Sequence, residues 1–201
     1  MVSSVFKRNK KDKYIKALSI LLYIFHGSFR KVSKELSILF EPISKSAIHK
    51  LVKKFLEIIK ISIKPKKRKR IAIDETVIKL KGRKCFVWAA FDLENREIVE
   101  MDVSLGRSEL DAYLFLSKVK SKCKGKLPEI ITDKGPWYNI VKSLGFPHLY
   151  NTFSLRNPVE RLFRYLKERS RVFYNNINGG FKCIELFVKL FLFLYTMLKG
   201  G

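Results

Sequence analysis

Ile71-Ala72-Ile73-Asp74-Glu75-Thr76 decides how this 201-residue chain is read. Ile71, Ile73, Val77 and Ile78 are strand formers, and the run alternates as a half-buried strand does. An acid nevertheless stands in its middle. An unpaired carboxylate beside an apolar core is costly to bury, so Asp74 has a positive reason to be there or a solvent-facing side. Side chains alternate along a strand, so Glu75 points to the opposite face and only one of the two can join a site with acids further on.

Two further acids stand in comparable settings. Asp133 follows the apolar strand Glu129-Ile130-Ile131-Thr132 and precedes the turn Lys134-Gly135-Pro136. Crevices open at such strand ends, and loops there carry function; an ordinary Asp-led turn has the same composition. Glu160 lies in Asn157-Pro158-Val159-Glu160, at the start of a helix. Asn157 suits an N-cap, Pro158 the first turn, and Glu160 the third position of a capping box. Glu160 also leads Arg164, Lys167 and Arg171 at i+4, i+7 and i+11, a polar face set against the stripe Val159, Leu162, Phe163 and Leu166. A carboxylate with a row of cations behind it suits strand cutting, and a solvated, salt-bridged face has the same spacing. Three acids on two strands and a helix can converge on two hard cations, which activate water or a 3′ hydroxyl against a phosphodiester. The chain offers no His/Cys cluster for zinc, no Ser-His-Asp set and no Gly-rich phosphate loop.

Composition points the same way. Forty-two Lys and Arg against 18 acids give a net charge of +24, which favours a polyanion, and nucleic acid is the commonest one. Hydrophobic residues make up 47%, enough for a folded core. Cys85, Cys123 and Cys183 are scattered, so neither a disulfide framework nor a zinc site is expected, and a reducing, cytoplasmic setting follows. No signal peptide is read. Ala17–Phe25 is too short to span a bilayer, and Phe181–Leu198 carries Lys182, Glu185 and Lys189, so it reads as a buried amphipathic helix.

Charge also divides the chain. Residues 1–70 carry +16 and residues 71–201 carry +8. Residues 1–63 read as a small all-α module with helices at Lys11–Phe25, Phe29–Phe40 and Lys45–Ile61, the last capped by Ser44. The first is given an inward stripe of Tyr14, Ile15, Leu18, Leu21, Leu22 and Phe25. The third exposes Lys45, His49, Lys50, Lys53 and Lys54, the arrangement of a helix-turn-helix that enters a major groove; a structural or dimerising bundle shows the same pattern. Residues 64–70, with Lys66, Lys67, Arg68, Lys69 and Arg70, read as a solvated linker or a phosphate-tracking strap. Residues 71–201 read as strands at 71–80, 85–92 and 98–105 with turns at Gly82-Arg83 and Glu94-Asn95. A helix follows from Glu109, capped by Ser108, with Leu110, Tyr113, Leu114, Leu116 and Val119 inward. Then come a strand to Asp133, a short helix at 137–144, a strand at 148–153 and two closing helices. That order is the α/β, mixed five-stranded order of a ribonuclease H-like domain.

The motifs Ile73-Asp74-Glu75-Thr76, Val87-Trp88-Ala89-Ala90-Phe91-Asp92, Thr132-Asp133-Lys134-Gly135-Pro136-Trp137-Tyr138, Arg156-Asn157-Pro158-Val159-Glu160-Arg161 and Lys167-Glu168-Arg169 resemble, in this order, the DDE transposases of prokaryotic insertion sequences. The likeness is to the insertion sequence family 6 group, particularly its short archaeal members. It covers residues 70–175 well and the N-terminal helices more loosely. The resemblance implies that Asp74, Asp133 and Glu160 are the catalytic and metal-holding triad, with two Mg²⁺ ions for which Mn²⁺ substitutes. It implies that Lys167 contacts the element's terminal DNA, with Arg164 beside it, and that Arg107 supplies a further basic contact. The partners implied are the terminal inverted repeats, target DNA and a second copy of the chain, in a nucleoid-associated setting. Asp133 and Glu160 are 26 residues apart, which implies a shortened loop before the catalytic helix. A DNA-binding regulator or inactive remnant, and a structure-directed nuclease of ribonuclease H type, are the other classes consistent with the pattern.

Overall fold

The computed structural model describes residues 11–58, 63–150, 155–171, 176–177 and 180–199. The chain divides into two compact units, residues 1–61 and 62–201.

The first unit contains α1 (Lys13–His26), α2 (Phe29–Leu39) and α3 (Lys45–Ile58). Local chemistry sets their ends. The Asp12 side chain accepts from the Tyr14 amide, and Gly27 closes α1 at a left-handed φ of 67°. Ser28 caps α2, and Ser44 accepts from the Ala47 amide at 3.2 Å to start α3. The shared core is Ile20, Ile24, Val32, Leu36, Ile48, Leu51, Val52 and Leu56, with Tyr23 stacked on Phe29 at 4.0 Å. The phase of α1 differs from the sequence expectation: Ile20, Tyr23 and Ile24 face inward, and Tyr14, Leu21 and Phe25 are exposed. This helix is apolar on more than one face, so periodicity alone does not choose the buried one. The continuation of α3 to Ile61 lies outside the described residues.

In the second unit, β1 (Arg70–Leu80), β2 (Arg83–Asp92) and β3 (Glu97–Ser104) form an antiparallel meander. The first turn is Lys81-Gly82 rather than Gly82-Arg83, because both of its residues take positive φ, the geometry of a two-residue hairpin. β4 (Glu129–Thr132) then lies parallel to β1, and β5 (His148–Tyr150) parallel to β4. The order β3-β2-β1-β4-β5 is that of a ribonuclease H-like sheet. A two-residue strand, β6 (Asn176–Ile177), pairs with the far end of β1 and was not foreseen. The expected extension of β5 to Phe153 lies outside the described residues.

α4 (Glu109–Ser121) carries a complete capping box between Ser108 and Asp111. It buries Ala112, Phe115, Leu116 and Val119, while Leu110, Tyr113 and Leu114 face outward, against expectation. A 3₁₀ turn (Pro136–Asn139) leads into α5 (Ile140–Ser143). α6 (Asn157–Ser170) packs on β1 and β2, and α7 (Phe181–Lys199) on β3. Among the described residues no helix is long and apolar enough to cross a membrane. The core on the α4 side of the sheet gathers Ile71, Ile73, Trp88, Ala90, Val99, Phe115, Ile130 and Tyr138.

The basic run at 64–70 is not a free strap. Its residues alternate like an edge strand. Lys66 pairs with Glu97 at 2.9 Å, and Arg70 with Glu94 at 2.8 Å. Between them Arg68 is fully enclosed, its Nη1 donating at 2.6 Å to both Asp92 and Glu97 and its Nε to the Lys122 carbonyl. Arg68 is therefore a structural residue and not a phosphate contact; Lys64, Lys67 and Lys69 are the basic residues of the run that are exposed as expected of all of it. Burial pushes the Asp92 carboxyl up, but hydrogen bonds from Asn95 and Arg68 outweigh it and hold its pKa below the ordinary value. With the folded pKa depressed, the pair contributes stability above the unfolded pKa and loses it as pH falls through the folded one. Arg68→Met should cost about 3–5 kcal/mol at pH 7, because Asp92 is left buried and unpaired. Lys67→Met should stay within about 0.5 kcal/mol. Urea unfolding at pH 7 and pH 3 checks both: the gap between wild type and Arg68→Met narrows in acid.

Candidate active site

The parallel pairing of β1 with β4 runs Ile71↔Ile130 and Ala72↔Ile131. Two residues further, the same register brings Asp74 level with Asp133 on one face of the sheet. Two carboxylates side by side repel, and a cation lies against them. Arg156 Nη2 is 2.6 Å from Asp74 Oδ2 and 4.0 Å from Asp133 Oδ2. Asp74 and Arg156 are both 8% exposed. Burial raises the Asp74 pKa to about 6 against the pull of Arg156. Burial works to lower Arg156 in turn, and Asp74, Asp133 and Glu160 together outweigh it and raise its pKa. The Arg156 Nε is buried without a partner among the described residues.

Glu160 is placed by the start of α6. The cap residue is Arg156, not Asn157, and no side chain caps the helix. The Arg156 carbonyl instead accepts from the Val159 and Glu160 amides at 2.9 and 3.1 Å. Glu160 therefore closes no capping box and is exposed. Asp74 and Asp133 are brought together, and Glu160 joins them through its field on Arg156. Among the described residues no three Asp, Glu, His or Cys side chains close on one metal-sized point. Arg164, Lys167 and Arg171 are exposed along the Glu160 edge of α6, with no ion pair to an acid among the described residues.

The turn after β4 is held from the opposite face of β1. The Gly135 amide donates to Asp133 Oδ1 at 2.9 Å. The Trp137 ring lies so close to Gly135 that a Cβ there would stand 2.5 Å from it. The Arg107 guanidinium stacks on Trp137, 3.8 Å from the ring centroid, and its Nη1 lies 3.2 Å from Glu75 Oε1. The other Glu75 oxygen accepts from the Tyr138 hydroxyl at 2.5 Å. Full burial, then Glu75, lift the Tyr138 pKa well above its usual value, so the phenol stays protonated and donates. Arg107 thus braces the Asp133 turn with a charge already engaged by Glu75.

The first unit presents Lys45, His49, Lys50, Lys53 and Lys54 as exposed side chains of α3. His49 packs edge-on against Phe29, centroids 5.2 Å apart. Sequence reasoning gave no role to Arg156, and it expected a DNA contact of Arg107, which instead joins Glu75, Trp137 and Tyr138 in one bracing set. Arg156 had a signal: it stands four residues before Glu160, the spacing of one helical face. The bracing set had none, because Glu75 is 32 residues from Arg107 and 63 from Tyr138, in no periodic pattern.

The DDE-domain profile of IS240-type transposases matches residues 68–189. A Methanocaldococcus jannaschii protein of uncharacterized function is 35% identical over 199 residues, spanning 98% of this chain and 92% of its own. The Staphylococcus aureus transposase for insertion sequence element IS257 in transposon Tn4003 is 25% identical over 201 residues, 92% of this chain and 88% of its own. Among solved structures, the catalytic core domain of BIV integrase aligns with 66% of this chain and 84% of that one, at 19% identity and a TM-score of 0.46. The family match spans more than half of the chain and takes in Asp74, Asp133 and Glu160 in the order of their strands and helix, and the chain belongs to the DDE transposases of insertion sequences.

Proposed function

We propose that the protein binds the terminal inverted repeats of its insertion sequence, cuts the DNA ends and joins the 3′ hydroxyls to target DNA. Asp74, Asp133 and Glu160 are the catalytic acids of this reading. The observation that carries it is the β1/β4 register, which sets Asp74 beside Asp133 around a positive charge. A guanidinium held by two carboxylates from separate strands is a test of fit. The oxygens already converge on a cation, and an oxygen-only donor set suits Mg²⁺ or Mn²⁺ rather than zinc. Two divalent ions held by these acids supply the polarisation of attacking and leaving oxygens.

The chain's own residues divide the remaining work. Arg164 and Lys167 flank Glu160 on the exposed edge of α6 and take the terminal DNA's phosphates. Arg107, Trp137 and Tyr138 keep the Asp133 turn in place. Arg156 neutralises the two acids and would give up that place if they held divalent ions. The first unit, residues 1–63, reads the repeat through Lys45, Lys50, Lys53 and Lys54 of α3, with His49 fixed at its flank by Phe29; Lys67 and Lys69 add backbone contacts. Pairing two element ends calls for at least a dimer.

Asp133→Asn should lower end cutting and joining at least about 10³-fold while DNA binding stays within twofold. A strand-transfer assay on DNA flanking the gene, with Mg²⁺ or Mn²⁺, reads this; equal product from wild type and variant would sink the assignment. Repeat binding without product from either would identify a DNA-binding regulator instead. Arg156→Gln removes a unit charge within 4.0 Å of both acids and should tighten Mn²⁺ binding by about tenfold. Titration by electron paramagnetic resonance checks it, with Asp133→Asn as the control that weakens binding. Gly135→Ala forces the Trp137 ring aside and should cost about 1–3 kcal/mol by thermal unfolding, with loss of cutting beyond what that destabilisation explains.

A further inference from the structure

On the other edge of α6 lies a cavity of about 410 Å³ that the proposed reaction does not use. That volume suits a small ligand of nucleotide size. Its lining combines Arg70, Arg96 and Arg161 with Phe91, Tyr165 and Tyr195. The aromatic floor is firm: Phe91 is buried and meets Tyr195 edge-on, centroids 6.5 Å apart. Tyr165 is half-exposed and presents its ring at the rim. Arg70 is tethered by Glu94. Arg96 and Arg161 are exposed and have no acidic partner among the described residues.

Arg96 adds an independent observation. It sits in the β2–β3 turn with φ 52°, a left-handed conformation that favours glycine. The turn places its guanidinium at the mouth of the cavity. Location supplies the ligand. Pro158, Arg161 and Tyr165 line one edge of α6, and Glu160, Arg164 and Lys167 line the other, about one helix diameter (~10 Å) away.

We propose that this cavity receives one unpaired nucleotide of the bound DNA strand, its base stacked on Tyr165 and its phosphate gripped by Arg96 and Arg161. Guanidinium groups bind phosphate, and tyrosine rings stack on any base. A paired base is already stacked and enters only when turned out of the duplex. The cavity thus favours DNA whose end has opened beside the cutting site. The idea draws on the transposase assignment only for the presence of DNA.

Full-length protein without added metal would be titrated with two duplexes of one sequence, one blunt and one bearing a short single-stranded tail that carries 2-aminopurine. The tailed DNA should bind about tenfold tighter, with its 2-aminopurine fluorescence quenched. Arg96→Gly with Arg161→Gln should bring the tailed Kd to the blunt value, and Tyr165→Leu should remove most of the quenching. Arg96→Gly suits the local backbone, so an unchanged or raised Tm excludes misfolding as the cause. Displacement of the tail by deoxythymidine monophosphate in wild type, lost in the double variant, would support the cavity as the seat. Equal affinity of wild type for tailed and blunt DNA, or a tenfold preference that survives the double variant, would overturn the proposal. Asp133→Asn should keep the tail preference, so failure of the cutting site and failure of this cavity are separable.

Discussion

Two carboxylates set side by side on neighbouring strands cannot both ionise cheaply unless a cation lies between them. That constraint organises the catalytic unit. The β1/β4 register is fixed by Ile71 and Ile130 in the core on one face, and a slip of one residue would put the two acids on opposite faces. Given that register, Asp74 and Asp133 need a positive partner. Arg156 provides it, and Arg156 is also the residue from which α6 starts. Glu160, one turn along, is thereby carried to the same region. The residue that neutralises the two acids is therefore also the one from which α6 begins.

The two faces of β1 have different tasks. On one, Asp74 faces Arg156 and the start of α6. On the other, Glu75 is committed to Tyr138 and Arg107, and Arg107 is stacked against Trp137. Both sets of contacts reach the residues around Asp133, one at its carboxylate and one at its turn. The rigidity lies on the buried side, where Tyr138 is enclosed. The Asp133 side chain, by contrast, keeps about a third of its surface in contact with solvent.

Much of this was legible from the sequence, and the misses share a cause. An acid inside an alternating apolar run is a local pattern, so Asp74 and its strand stood out. Strand order followed from runs bounded by turn residues, and Ser44 and Ser108 marked helix starts because capping is local chemistry. α1 and α4 were assigned the wrong inward residues since each is apolar on more than one face, and tertiary packing chose among them. The basic run at 64–70 looked solvated because its acids, Asp92, Glu94 and Glu97, lie 24 to 31 residues further on, beyond any short-range signal. Arg156 was visible as a letter in a motif, but its role depends on a register that only the folded sheet establishes.

The same long-range pairing changes the meaning of the charge. A formal +24 suggests a surface uniformly attractive to DNA. Within the second unit much of that charge is already spoken for: Lys66, Arg68 and Arg70 hold Glu97, Asp92 and Glu94, and Lys118 and Lys122 hold Asp102 and Glu100. Cations so engaged release few counterions when DNA arrives and contribute little to salt-dependent binding. On α6 Arg161, Arg164 and Lys167 stay exposed without an acid, as Lys67, Lys69 and Arg96 do elsewhere in the unit, and the same helix carries Glu160. The positive charge left available in this unit is thus set as much by where the acids lie as by where lysine and arginine occur.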